Sequence, residues 1–500
     1  MEFLQSIILG FQVSLQPINL LYCFIGVFIG TLVGVLPGIG PAGAMAILLP
    51  ATFHAPPLST IIMLAGIYYG AMYGGSTTSI LVNIPGEPSS VVTCLDGYQM
   101  ARQGRAGPAL GISAFGSFIA GTIGILALMA VAGPLAHIAL RFGPPEYVGL
   151  MVLGLIILTY LTQKSFIKAL AMAALGLILS FVGLDLISGQ ARFTLNIDHL
   201  LDGVGMVPMV MGLFGIAEVL ENVEATIERS IFKAHLKGLF PSLKDWAASI
   251  WAIIRGTVIG FFLGVLPGGG AILASFVSYA VEKKVSKHPE RFGKGAIEGV
   301  AGPESTNNAA SSGAFIPLMS LGIPSNVVMT MLFAGLLIHG IRPGPLLIKD
   351  YPDIFWGVIA SMYVGNVMLL ALNLPLIGVW VQFLKVPFRF LFPMIIIFCL
   401  IGVYSVNNSV LDIGVMVFFG VVGYIMRKFD YEPAPLVLAY VLGPMLEQAL
   451  RQSLIISNGS FAIFFVRPIS GVCLAVAAFL LITSFTTYSR KMRQEALREE

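Results

Sequence analysis

The chain has 500 residues, 57% of them hydrophobic and 11% charged, with a formal net charge of +3 and a mean hydropathy of +0.90. A soluble domain of this length must keep a polar exterior, so the composition excludes one. Apolar stretches of about 17–25 residues, the length a bilayer core requires, recur from end to end and predict an all-α polytopic membrane protein.

The opening "MEFLQSIILGF" has no positively charged region and is read as an amphipathic or membrane-entering first helix, not a cleaved signal peptide. An apolar run over 18–50 follows, interrupted by "GVLPGIGPAGA", which places Pro37, Gly38 and Gly40 where a spanning helix would continue. Proline removes a helix hydrogen bond, and glycine allows turns that other residues resist. Two readings fit: a helical hairpin folded about Pro-Gly and partly re-entrant, or a single kinked helix. The loop 51–60, "ATFHAPPLST", carries no Lys or Arg. A helix then leads into a polar re-entrant segment over 75–90, and further helices are predicted over 107–133, 146–163, 166–187 and 204–222.

The second half follows the same order. The apolar run 249–282 is broken by "GVLPGGGAILA", with Pro267, Gly268 and Gly270 at the break, and this repetition favours the hairpin. The loop "EKKVSKHPERFGK" over 282–294 comes next, then a polar stretch over 302–326. Helices are predicted over 354–374, 390–406, 410–426 and 434–450, and a last one over 468–487.

Three matches in the same order, at slowly drifting separation, mark an internal repeat. Gly34-Val35-Leu36-Pro37-Gly38 recurs at Gly264-Val265-Leu266-Pro267-Gly268, "PSSVV" from Pro88 as "PSNVV" from Pro324, and Gly107-Pro108 as Gly344-Pro345. The division is therefore a first repeat at 1–222, a cytoplasmic linker at 223–248, a second repeat at 249–450, and a final transmembrane helix with a cytoplasmic tail at 451–500. Half of the 28 Lys and Arg fall in three clusters: Arg229 to Arg255, Lys283 to Lys294, and Arg490 to Arg498. By the positive-inside rule these are cytoplasmic. They flank membrane segments, which argues against nucleic-acid binding. The two loops that follow the broken runs thus have opposite charge bias, as expected of inverted-topology repeats.

The candidate chemistry lies in the two polar stretches. The first holds Ser76, Thr77, Thr78, Ser79, Asn83 and Glu87; the second holds Glu304, Ser305, Thr306, Asn307, Asn308 and Asn326. Hydroxyls and amides at this density offer donors to a carboxylate and oxygens to a cation; small residues that cap half-helices are the plainer alternative. No Lys or Arg falls between Ile61 and Arg102, or between Gly295 and Ile341. An anionic substrate would then rest on helix N-termini, backbone amides and co-bound cations. Glu87, Glu304 and Asn326 are the candidates for holding Na⁺ or H⁺, and either glutamate could equally sit at the interface as a cap. Zinc-protease, P-loop and nucleophile-elbow motifs are absent from the sequence, so an intramembrane enzyme is the outsider. Cys23, Cys94, Cys399 and Cys473 have no paired spacing and read as small hydrophobes.

The two G-x-x-P-G-x-G runs, with "GGSTTSILVNIPGEPSS" and "GPESTNNAASSGAFIPLMSLGIPSN", resemble the large membrane subunit of the tripartite tricarboxylate transporters over nearly the whole chain. The resemblance implies cation-coupled uptake of citrate-like carboxylates across a bacterial inner membrane, without ATP and without a cofactor. It implies two partners: a small four-helix membrane subunit and a periplasmic solute-binding protein. An elevator-type fold is also implied. By the same resemblance Ser76, Thr77, Thr78, Ser79, Asn83, Ser305, Thr306, Asn307 and Asn308 would line the substrate site, with the Pro-Gly breaks nearby. The competing reading is a stand-alone transporter of amino acids or other small solutes.

The inverted arrangement makes a direct prediction. With the four native cysteines replaced, single cysteines at Ala55 and Ser286 should react with an impermeant maleimide from opposite faces of the membrane. Labelling of both from one face would exclude an inverted repeat.

Overall fold

The structure, a computed structural model, describes residues 2–36, 40–160, 165–185, 188–224, 238–267, 270–383 and 388–499. It is nearly all helical. In chain order come α1 (Glu2–Ser14), α2 (Pro17–Val35), α3 (Gly40–Leu48), α4 (Pro57–Val82), α5 (Val91–Arg102), α6 (Ala106–Ala139), α7 (Pro144–Tyr160) and α8 (Phe166–Ser180). A short antiparallel pair, β1 (Gly183–Leu184) and β2 (Ala191–Arg192), precedes α9 (Met206–Val210) and α10 (Ala217–Glu224). The second half holds α11 (Leu243–Val265), α12 (Gly270–Val285), α13 (Glu298–Gly313), α14 (Val327–Ile338), α15 (Leu347–Asp350) and α16 (Pro352–Asn373). It ends with α17 (Ile377–Phe383), α18 (Phe388–Asn407), α19 (Val410–Lys428), α20 (Pro433–Ile456), α21 (Ile463–Val466) and α22 (Pro468–Glu499).

Among the described residues six helices are long and apolar enough to cross a membrane: α2, α6, α11, α16, α19 and α22. The chain is a polytopic membrane protein. Its outward side chains are Ile, Leu, Val and Phe along α18, α19 and α22, the surface that hydrocarbon accepts.

Both apolar runs break where the sequence places Pro-Gly. α2 ends at Val35 and α3 begins at Gly40; α11 ends at Val265 and α12 begins at Gly270. Gly40 (φ 57°) and Gly270 (φ 44°) lie in the left-handed region, which a side chain at these two restart points would strain. Pro37, Gly38 and Gly268 lie outside the described residues, as does half of the linker, at 225–237.

Some elements differ from expectation. Ser76 to Ser79 do not lie in an irregular stretch after a helix but inside α4, which runs on to Val82; the chain breaks only at Asn83. α13 likewise carries its polar residues to Gly313 before a wider turn over Pro317–Leu321. The helix predicted over 204–222 is interrupted by a π-helical segment at Met211–Ile216, where Gly212 lies against the backbone of α19 at Met416 and Gly420. The strand pair after α8 had no signal in the hydrophobic pattern. It is pinned to α20 by Arg192 on Glu447 (2.8 Å) and by Arg451 on Asp185 (2.9 Å).

The polar helices α4 and α13 are held by unusually close crossings. A Cβ on Gly26, Gly30 or Gly34 of α2 would collide with the backbone of α4 at Met63, Ile67 or Ala71. A Cβ on Gly256, Gly260 or Gly264 of α11 would collide with α13 at Gly302, Thr306 or Ala310. Small residues on every fourth position let two helix backbones touch, and van der Waals packing then replaces the hydrophobic drive that lipid lacks. α13 also lies on α6, with Ser305 beside Gly116, while α4 lies on α16, with Tyr69 beside Gly365.

Two polar clasps complete the frame. Arg255 of α11 makes a two-pronged pair with buried Glu282 of α12 (2.9 and 2.5 Å), closing the second broken run on itself. Asp96 of α5, fully buried, accepts from Tyr279 Oη (2.8 Å) and from the backbone N–H groups of Gly295 (2.7 Å) and Ala296 (2.8 Å).

Gly260→Val should therefore lower the thermal stability of the purified protein, by about 1–3 kcal/mol for overpacking. Gly378→Ala, where a Cβ meets no atom within 4 Å, should leave it unchanged. A wild-type melting temperature for Gly260→Val, measured by intrinsic fluorescence, would contradict the close crossing.

Candidate functional site

α4 and α13 bury almost every side chain they carry, including their polar ones. α4 ends in left-handed Asn83 (φ 59°), and the segment Pro317–Leu321 that follows α13 ends in left-handed Gly322 (φ 74°); in both places the chain then turns into a new helix start. After α4 the turn is Pro88–Ser90, capped by Glu87, whose carboxylate accepts from the Ser89 N–H at 2.9 Å. After α13 the start is α14, capped by Asn326, whose Oδ1 accepts from the Met329 N–H at 3.0 Å. Two helix N-termini thus lie within the polar interior.

The two halves meet through carboxylates. Glu304 of α13 is fully buried and accepts hydrogen bonds from Ser76 Oγ of α4 and Thr93 Oγ1 of α5. Glu87 is also buried; Ser89 Oγ donates to it, and Asn307 Nδ2 of α13 reaches its Oε1 at 3.3 Å. Neither carboxylate has an ion-pair partner among the described residues. Ser79 joins the cluster through Ser90 Oγ at 2.9 Å, and Asn308 through Ser117 Oγ of α6 at 2.7 Å.

Other expected site residues serve the frame. Thr78 donates to the Val35 carbonyl (2.7 Å), tying α4 to the last turn of α2 before its break. Thr306 donates to Gly256 O (2.9 Å) and Gly302 O (2.8 Å), across the glycine crossing and within its own helix. Asn83 is exposed at the end of α4 and does not join the cluster. Asn326 uses both amide atoms, on Met329 N–H and, at 3.3 Å, on Tyr68 Oη. Thr77 is buried on α4, and Ser305 is buried with its hydroxyl unpaired among the described residues. Pro267 precedes the restart at Gly270, whose Cβ position would lie 4.0 Å from Asn326 Nδ2. Pro37, Gly38 and Gly268, as stated, fall outside the described residues.

Thr93 and Ser117 were not anticipated. Neither belongs to a dense polar run, and only the fold brings them to Glu304 and Asn308. The four cysteines are free, and Cys23, Cys399 and Cys473 are buried as small hydrophobes. Among the described residues no group of His, Cys, Asp and Glu is arranged to hold a metal ion.

A family model described as "Tripartite tricarboxylate transporter TctA family" matches residues 20–438. The chain belongs to that family. It is therefore a transporter subunit and not an enzyme. Members of the TctA family normally work with a small membrane subunit and a periplasmic binding protein. An Agrobacterium vitis protein named "Uncharacterized 52.8 kDa protein in TAR-I ttuC' 3'region" is 49% identical over 500 residues, covering 100% of both chains. A second from the same organism, "Uncharacterized protein in TAR-II ttuC' 3'region", is 49% identical over 241 residues, 48% of this chain and all of its own. No solved structure matches the chain.

The bond between Ser76 and Glu304 links the two halves of this TctA-family chain and can be isolated by a double-mutant cycle. Ser76→Ala should destabilise the protein by about 1.5–3 kcal/mol, the worth of a hydrogen bond to a charged group. In a Glu304→Gln background the same change should cost clearly less. Equal costs in the two backgrounds, measured by thermal unfolding, would show that the two side chains do not interact.

Proposed function

We propose that the chain is the large membrane subunit of a binding-protein-dependent importer of citrate-like di- and tricarboxylates, driven by a Na⁺ or H⁺ gradient. The family assignment supports carboxylate transport. The observation that carries the coupling is the interior cluster itself: two buried carboxylates, Glu87 and Glu304, bridged to the opposite half by Ser76, Thr93 and Asn307, with no Lys or Arg in either polar stretch. A buried carboxylate without a counter-charge is costly, so the cluster requires a cation, and an anionic substrate beside it requires one more. Hydroxyls, amides and helix N-termini are the groups that hold carboxylates and cations in transporters built this way.

In this reading 1–222 and 249–450 are inverted repeats joined by a cytoplasmic linker at 223–248, and 451–500 is a final helix with a cytoplasmic tail, in the bacterial inner membrane. Matched features support it. The glycines at 26, 30 and 34 pack on α4 as those at 256, 260 and 264 pack on α13, and the restarts at Gly40 and Gly270 share their positive φ. Each polar helix also lies against the long helix of the opposite half. An elevator-type motion, in which the polar core slides against the remaining helices, is in keeping with that arrangement. The partners are the small four-helix membrane subunit and the periplasmic solute-binding protein. Ser76, Ser79, Ser305, Asn307 and Asn308 are the residues placed to meet substrate or ion; Thr78 and Thr306 shape the frame around them.

The test is uptake of radiolabelled di- and tricarboxylates into proteoliposomes holding the chain with its small subunit. The soluble binding protein and an imposed cation gradient are each added or left out. Uptake should require both. Full-rate uptake by the chain alone would favour a stand-alone transporter, and a requirement for ATP would overturn secondary transport.

A further inference from the structure

We propose that Glu87 and Asn307 form a binding site for a single Na⁺ ion, built across the two halves of the chain. This deepens the cation-coupled reading above, and rests on it for the ion's role in transport but not for the ion's presence. Glu87 is 4% exposed and Asn307 1% exposed, so neither reaches bulk water. The Glu87 carboxylate is surrounded by neutral donors only: the Ser89 N–H at 2.9 Å, the Ser89 hydroxyl, and Asn307 Nδ2 at 3.3 Å. Its charge is left without a cationic partner among the described residues.

The independent observation is on Asn307. Its Oδ1 is buried and has no hydrogen-bond donor, while its Nδ2 already faces Glu87. A buried acceptor with no donor is rare in a folded protein and marks a missing group. A water or a metal ion can supply that partner, and a proton or a metal ion can neutralise Glu87; a metal ion does both at once. A proton on Glu87 leaves Asn307 Oδ1 without a donor as it stands. If the amide is turned so that the oxygen faces Glu87, Nδ2 is stranded instead. A metal cation on Oδ1 supplies the missing partner while Nδ2 keeps its hydrogen bond to Glu87, and its charge offsets that of the buried carboxylate.

The donor set is all oxygen: a carboxylate, an amide carbonyl and the Ser89 hydroxyl. Among the described residues no nitrogen or thiolate ligands accompany them, so a hard cation is the match. One carboxylate suits a monovalent ion, because a divalent ion would leave the buried site with a surplus charge. Positions not filled by these groups are left for water or for a substrate carboxylate, which the ion would attract into a region free of Lys and Arg. Glu304 is a different case. Both of its oxygens already accept a hydroxyl, and no unpaired amide oxygen faces it.

The experiment measures ²²Na⁺ binding to the purified full-length chain in nanodiscs by scintillation proximity, at pH 7.5 and without any carboxylate. Wild type should bind Na⁺ saturably and K⁺ poorly. Asn307→Ala should weaken binding about ten- to a hundred-fold, since it removes one ligand of a charged partner. Asn307→Asp, which keeps an oxygen at that position, should retain binding. Glu87→Gln should abolish it, and Glu290→Gln in an exposed cytoplasmic turn should do nothing. Should Glu87→Gln fail to fold, the Asn307 pair still decides the matter. Absence of saturable Na⁺ binding by folded wild type, or wild-type affinity in Asn307→Ala, would overturn the site. Either result leaves carboxylate import standing if uptake is observed. Na⁺ binding in a chain that fails to take up carboxylates would sustain the site and reject the substrate class instead.

Discussion

The polar helices α4 and α13 depend on two helix crossings at which backbones touch. In lipid, apolar side chains gain nothing by leaving one apolar surface for another, so helices associate through contact area and hydrogen bonds. The glycine rows of α2 and α11 bring α4 and α13 to backbone distance. That closeness removes α4 and α13 from the lipid, and only then can they carry serines, threonines, asparagines and a glutamate along their length. The polar stretches and the glycine rows are one device: without the close crossing, the hydroxyls and amides would face hydrocarbon unpaired.

The same crossings set what each hydroxyl does. Thr306 spends its hydrogen bonds at the contact with Gly256, and Thr78 secures the end of α2 through Val35. Ser76, two residues before Thr78, and Asn307, the residue after Thr306, point away from those contacts and reach across to carboxylates of the other half. Neighbours in sequence therefore divide between holding the frame and facing the interior, as a 3.6-residue period requires.

Much of the fold was legible in the sequence, because the signals behind it are strong and local. Runs of apolar residues and the paired Pro-Gly breaks placed the starts of the predicted helices close to the observed ones, while α6, α8, α20 and α22 end well away from their predicted stops. Ser76, Glu304 and Asn307 could be picked out because polar residues in an apolar chain need a reason. What was illegible depended on partners distant in sequence. Thr93 and Ser117 have no local pattern to distinguish them from packing residues, and Asn83 has the composition of a site residue but the conformation of a helix stop. That Ser76 to Ser79 are helical was also hidden: Gly and Ser disfavour helix locally, and burial against α2 overrides them. The strand pair after α8 depends on salt bridges to α20 that no periodicity announces.

The clasp at Asp96 limits where this molecule can come apart. A fully buried carboxylate of the first half holds a tyrosine and two backbone amides of the second, at 2.7–2.8 Å. Pulling these segments apart would strand a charge in the interior and orphan two N–H groups together, a loss no single ligand could easily offset. Any sliding of one part against another would therefore have to pass around α5, α12 and the start of α13, not between them. The two halves, separate in sequence, are tied together on this side of the molecule, so a transport motion would need its joints among the helices that Asp96 does not reach.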